Sequence, residues 1–268
     1  MSQTVVEKIA EWHLADGPAP RPVQAGDFVR IRPRHVLTHD NTSAVMKKFK
    51  TLEAGRIHHP RQPVFALDHD IQNRSEENLF KYRAIEEFAR EQGVSFHPAG
   101  AGIGHQIMIE SCYVVPGAFV VASDSHANMY GALGAVGTPI VRTDAAAVWA
   151  TGEFWWQVPR TVQVVLEGSL PHGVSGKDVI LVLCGLYNQG EVLNAAVEFT
   201  GPGVASLSMD ARFTIANMTT EWGALVGWFP VDAITLRYLE QRRDRLFTQG
   251  LDHQCEEDLD ILQRDPPG

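Results

Sequence analysis

Short, almost wholly apolar runs alternate along this chain with amphipathic stretches, and polar residues gather where the apolar runs stop. Residues 5–13 carry a short helical pattern, followed by the Pro/Gly-rich connection GPAPRPVQAGD at 17–27. FVRIRP then reads as a strand and VFALD (64–68) as a second, buried one. SEENLFKYRAIEEFAREQG is the clearest helix. Ser75 offers an N-cap oxygen, and Glu76 and Glu77 suit the positive helix end. Leu79, Tyr82, Ile85 and Phe88 make an apolar face, and Gly93 is placed to close the helix. VSF and AFVVAS supply further strands, and TDAAAVWATG a short helix with Asp144 in its first turn.

RTVQVVLEGSLP reads as a strand after Pro159, and AAVEF as another before the turn TGPGV. GKDVILVLCG fits strand or helix; its Lys-Asp start and ten-residue length favour helix. From Leu236 the chain turns highly charged, a solvated helical region that finishes on the loop signal RDPPG. Strands alternating with helices predict α/β layers with a largely parallel sheet. A boundary near Pro159 divides the chain into expected lobes at 1–160 and 161–268.

At 268 residues the chain can bury a sizeable core without disulfide staples. A net charge of -9 disfavours nucleic acid or an anionic membrane as partner, though local cations can still hold a small anion. No apolar run is long enough to span a bilayer. MSQTVVEKIAEWHLADGPAP contains acidic residues and no arginine, so as it stands it reads as neither signal nor transit peptide. Cys112, Cys184 and Cys255 lie far apart without C-x-x-C spacing, and read as reduced, mostly buried thiols of an intracellular protein.

The candidate chemistry sits behind the apolar runs. PGAFVV leads to Asp124, Ser125 and His126; VFAL leads to Asp68 and His69; a glycine-rich turn precedes His105. THDNTS adds His39, Asp40 and Thr42, and Asn217 and Glu221 stand four apart, one face if the segment is helical. Open α/β sheets bind ligands at the carboxyl ends of their strands. There a carboxylate can hold an imidazole's tautomer and raise its basicity, making it an acid or base near neutral pH. Converging acids and histidines can equally hold a metal or its bound water. Taken singly, each has a plainer reading: an Asx- or Ser-turn beside an exposed histidine, or a capping pair. Trp149, Phe154, Trp155 and Trp156 read as core or interface packing in so acidic a chain. GALGAVGTP lacks the Lys-Ser/Thr ending and the dinucleotide spacing, and reads as close backbone packing.

Together, LDHDIQN, GIGHQIMIE, PGAFVVASDSH, GALGAVGTPIVRTDAAAVWATGEFWWQVP, GKDVILVLCG, VEFTGPGV and TIANMTTEWGALVGWFPVD resemble, in order, the N-terminal half of the aconitase superfamily. THDNTSAVMKKF, HANMYG and WWQVP look most like its fungal-type homoaconitase branch, of the α-aminoadipate lysine route. The resemblance covers roughly residues 5–240 and implies α/β/α lobes around a cleft with a [4Fe–4S] cluster, one iron of which binds substrate. The implied reaction is reversible dehydration of a tricarboxylate (homocitrate, homoaconitate, homoisocitrate), in the mitochondrial matrix. By resemblance, Asp68 and His69 protonate the departing hydroxyl, and His105, Asp124 and Glu221 surround the reacting oxygen. Ser125 and His126 share that wall, with His126 among the catalytic set. His39 falls where citrate enzymes carry a glutamine touching a substrate carboxylate, and Asn217 falls near the cluster.

The family's cluster cysteines, one isolated and then a C-x-x-C, lie beyond the matching region, and Cys112, Cys184 and Cys255 do not correspond to them. Its substrate-binding arginines and proton-abstracting serine also belong to later lobes. The expectation is an incomplete active site that binds no cluster alone and works with those lobes, in cis or as a second subunit. Competing readings are an isopropylmalate isomerase large subunit or citrate aconitase fragment, and a non-catalytic module binding a carboxylate or a partner. Another is a metal hydrolase built on His69, His105, His126 and Asp124.

Overall fold

The computed structural model describes residues 2–249; Cys255 and the segment around it lie outside the described residues. The chain begins with α1 (Val5–Trp12), then β1 (Phe28–Ile31), β2 (His35–Thr38), α2 (Thr42–Thr51) and β3 (Pro63–Ala66). Next come α3 (Glu76–Gln92), β4 (Ser95–His97), α4 (Gly104–Glu110) and β5 (Phe119–Ala122). A 3₁₀ turn (Ala127–Leu133) leads to β6 (Val136–Pro139), α5 (Arg142–Thr151) and β7 (Phe154–Gln157). Then follow β8 (Thr161–Val165), α6 (Gly176–Leu186), β9 (Ala196–Thr200), α7 (Met209–Met218), β10 (Val226–Trp228) and α8 (Ala233–Thr248).

The central sheet has five parallel strands in the order β4-β3-β2-β5-β6. Every residue of β3 and β5 is buried, as a parallel sheet covered on both faces requires. Alternate side chains feed two cores. Leu37, Val64, Ala66, Val120 and Ala122 join one; Val36, Phe65, Phe119 and Val121 join the other. From β2 the chain steps outward through β3 and β4, then returns to the far side of β2 as β5. The strand order therefore reverses between β2 and β5, where their carboxyl ends flank a crevice.

A second parallel sheet, β10-β9-β8, and the antiparallel pair β1-β7 complete the strands among the described residues. The glycines of GALGAVGTP serve close backbone approach. A Cβ on Gly131 would stand 1.7 Å from the Gly227 carbonyl oxygen on β10, and one on Gly137 would stand 2.1 Å from that of Ala127. The architecture is α/β with parallel sheets. Among the described residues no helix is long and apolar enough to cross a membrane.

α3 forms as its sequence predicts: the Ser75 hydroxyl accepts from the Asn78 N–H, and Gly93 closes the helix in the left-handed region. Its first turn differs from the predicted face. Leu79 is 42% exposed, while Asn78 is buried and donates to the carbonyls of Asp70 and Asn73. A polar anchor to the preceding loop has displaced an apolar one. Trp155 likewise points outward, because β7 alternates and turns only Phe154 and Trp156 to the core. GKDVILVLCG is helical, as α6.

Candidate active site

Four segments meet at the carboxyl edge of the central sheet. β2 runs into His39 and Asp40, β3 into Asp68 and His69, and β5 into Asp124, Ser125 and His126. His105 stands in the first turn of α4, which follows β4. Asp124 lies among the imidazoles. Its Oδ1 is 2.7 Å from His105 Nε2 and accepts the His126 N–H at 2.8 Å. Its Oδ2 is 3.5 Å from His69 Nε2 and 3.8 Å from His39 Nε2. His39 and His69 stack with ring centroids 3.9 Å apart. Asp68 ties two of these segments together: Oδ1 meets His69 Nδ1 at 2.5 Å, and Oδ2 accepts the Gly104 N–H at 2.6 Å.

Burial works to raise the Asp124 carboxyl, but the His105 hydrogen bond, the His126 N–H and the neighbouring rings hold it well below the usual carboxylate range. An ionised Asp124 needs a hydrogen on His105 Nε2. His105 Nδ1 lies 2.8 Å from the fully buried Tyr130 hydroxyl, which donates to it when the ring is neutral. For His69, partial burial disfavours the charge, yet the Asp68 hydrogen bond and the charges of Asp68, Asp124 and Asp40 outweigh it and raise its pKa. His39 moves the opposite way: burial and the charge on His69 lower its pKa. The stack thus pairs an imidazole biased towards the cation with one biased towards neutrality.

The far wall comes from the second sheet's side. Ser125 Oγ is 3.1 Å from His126 Nδ1, and His126 Nε2 is 3.4 Å from Glu221 Oε1. Thr220 Oγ1 donates to the Ser125 carbonyl. Glu221 and Asn217 do not share a helix face. α7 ends at Met218, where the Glu221 N–H bonds the Met218 carbonyl and turns the chain towards His126. Asn217 stays half-buried in the last turn of α7 and has no hydrogen bond to the cluster among the described residues. The cluster lies on an open face: the side chains of His69 and His126 are 51% and 34% exposed.

Three supporting groups were absent from the predicted site. Tyr130 backs His105; Asn41 donates to the Ser123 carbonyl at 2.7 Å, joining the ends of β2 and β5; Tyr82 donates to Asp40. Tyr130 and Asn41 lie in HANMYG and THDNTS, but their orientation depends on tertiary packing. Nothing local marks Tyr82, which reads as part of an apolar face.

The sequence model of the aconitase family (aconitate hydratase) matches residues 7–265. The chain belongs to the aconitase family. Among relatives of this aconitase-family chain, the mitochondrial homoaconitase of Cryptococcus neoformans is 61% identical over 230 residues, 86% of this chain and 32% of its own length. That of Yarrowia lipolytica is 57% identical over 244 residues, 91% of this chain and 36% of its own. That of Kluyveromyces lactis is 52% identical over 273 residues, 98% of this chain and 39% of its own. The chain therefore spans about a third of the length of these relatives.

The family resemblance implies a [4Fe–4S] cluster, but the described residues do not form its site. Cys112 is buried against Leu246, and Cys184 is half-buried on α6. No group of three metal-ligating side chains among the described residues includes a cysteine. The one such group, His39, Asp40, Asp68 and His69, has ligand atoms within 4.8 Å of one another. Its carboxylates already accept hydrogen bonds on all four oxygens. The hydrolase quartet of His69, His105, His126 and Asp124 is not such a group either. The groups that the described residues gather at this edge are carboxylates and imidazoles.

Proposed function

We propose that the chain supplies the acid–base wall of a homoaconitate hydratase, an aconitase-type hydro-lyase that interconverts homocitrate and homoisocitrate through homoaconitate. The observation that carries this reading is His69, held at Nδ1 by Asp68 with Nε2 facing Asp124 across an open face. Hydroxide is a poor leaving group, so dehydration needs a proton delivered as the C–O bond breaks. His69 Nε2 gives that proton, Asp68 stabilises the ring's charged form, and the oxygen departs as water. In hydration the same ring takes the proton back. Asp124, with His105, His126 and Glu221, orients the departing oxygen, while His39 and Ser125 contact carboxylates of the tricarboxylate. The family resemblance assigns Asn217 a place near the cluster. The proton on the neighbouring carbon leaves to a base that the family resemblance assigns to the later lobes.

In this reading residues 1–160 and 161–268 are the first two lobes. The cluster and the substrate-binding arginines belong to the remaining lobes, in cis or on a second chain. The setting in this reading is the mitochondrial matrix; the relatives' names state that those proteins are mitochondrial. The test is a chimera in which this chain replaces the matching N-terminal part of Kluyveromyces lactis homoaconitase. Hydration of homoaconitate by the chimera, with no turnover by the chain alone, is expected. A folded chimera that hydrates only the citrate-series substrate, or homocitrate dehydration by the isolated chain, contradicts the reading.

A further inference from the structure

We infer that Asp40 is a positioning residue for the Asp68–His69 pair: its one carboxylate gathers three successive backbone N–H groups and so fixes where that pair stands. Oδ2 accepts from the N–H of Asp68 at 3.0 Å and of His69 at 2.8 Å, and Oδ1 accepts from that of Asp70 at 3.2 Å. Where β3 ends these N–H groups leave the sheet ladder, and consecutive amides in such a turn make a concavity suited to an anion. Asp40, a residue only 9% exposed, fills it with its carboxylate. The Tyr82 hydroxyl, reaching from α3, donates to Oδ1 and fixes the carboxylate's rotation.

The consequence runs outward from Asp40. With residues 68–70 pinned, Asp68 reaches both the His69 ring and the Gly104 N–H, so the spacing between His69 and the helix bearing His105 follows from this anchor. Burial pushes the Asp40 carboxyl up, but Tyr82 and the three N–H groups bring it below its ordinary value, which keeps it an acceptor at neutral pH. Asp40 contacts no reacting atom in this scheme and acts through Asp68. The inference rests on the proposed function only for the use made of the His69 proton.

The test is an NMR pH titration of the His69 ring in the isolated chain, which needs no turnover. The charged and titratable groups around that ring are Asp68 in its own turn, Asp40 and His39 beyond β2, and Asp124 beyond β5. Asp40→Asn is expected to lower the titration midpoint of His69 by about half a pH unit or more. Tyr82→Phe leaves every charge in place and lowers it by less. Because Asp40 also contributes charge, each substitution is repeated in an Asp68→Asn background, where both shifts should shrink. A merely structural anchor would lower Tm and leave the midpoint of the folded protein in place. The inference is overturned if Tyr82→Phe leaves the midpoint unchanged, or if the shifts persist in full without Asp68. Should Asp40→Asn fail to fold, the Tyr82→Phe and Asp68→Asn cycle decides alone. Failure of the chimera would leave this result standing.

Discussion

His69→Asn, made in the homoaconitase chimera, lowers kcat by about 10²–10⁴-fold, the range that a positioned general acid contributes. Asparagine keeps a polar group beside Asp68 but cannot deliver a proton at neutral pH, so the loss isolates proton transfer from packing. The effect falls mainly on kcat, because the proton moves only in the transition state. The pH dependence has a definite sign. The pKa of His69 is raised by Asp68, Asp124 and Asp40 against the opposing effect of burial. Dehydration, which needs the protonated ring, holds above the ordinary imidazole value near 6.5 and declines as pH rises through the raised one. The stabilisation linked to that proton follows the same course: complete below about 6.5, and lost as pH climbs through the folded-state value. Steady-state kinetics against pH, with and without the substitution, check the first statement, and denaturant unfolding against pH checks the second.

Gly131→Ala has the largest expected effect on stability. Its new Cβ would lie 1.7 Å from the Gly227 carbonyl oxygen, 2.7 Å from the Gly227 carbonyl carbon and 3.1 Å from Trp228 Cα, all backbone atoms. No rotamer relieves such a clash, so the 3₁₀ turn and β10 must part. Overpacking costs typically 1–3 kcal/mol, and a backbone-on-backbone clash belongs at or beyond about 3 kcal/mol. Denaturant unfolding of the isolated chain measures it. Gly185→Ala is the control: it lies in α6 with nothing within 4 Å of the added carbon, and is expected to be neutral or to stabilise by up to about 1 kcal/mol. The 3₁₀ turn begins directly after His126, so displacing it also disturbs the site.

Much of this was legible before the fold. The helix over Glu76–Gln92 announced itself through Ser75, the paired glutamates and Gly93, because its capping chemistry is local. The placement of Asp68, His69 and Asp124 followed from the position of polar triplets behind apolar runs, a rule about parallel sheets rather than about particular residues. Other features needed the third dimension. β2 and α2 were not read from HVLTHDNTSAVMKKF. The strand is only four residues long, and α2 opens on hydroxyl residues with no side-chain cap at Asn41. Glu221 reached the site by leaving a helix where spacing suggested sharing one. Tyr130 and Tyr82 stand behind the acids and rings that sequence motifs expose, and only packing reveals which polar atom each tyrosine meets.

The proposed chemistry depends most on Asp124 serving four imidazoles drawn from three strand ends and a helix. NMR of the histidine Cε1–H resonances before and after Asp124→Asn tests it most directly. The predicted result is that His39, His69, His105 and His126 shift together in a protein that keeps its fold, while His172, outside the cluster, stays still. Movement of the sequence neighbour His126 alone, with His69 and His105 unmoved, would contradict the convergence on which the proposed chemistry rests.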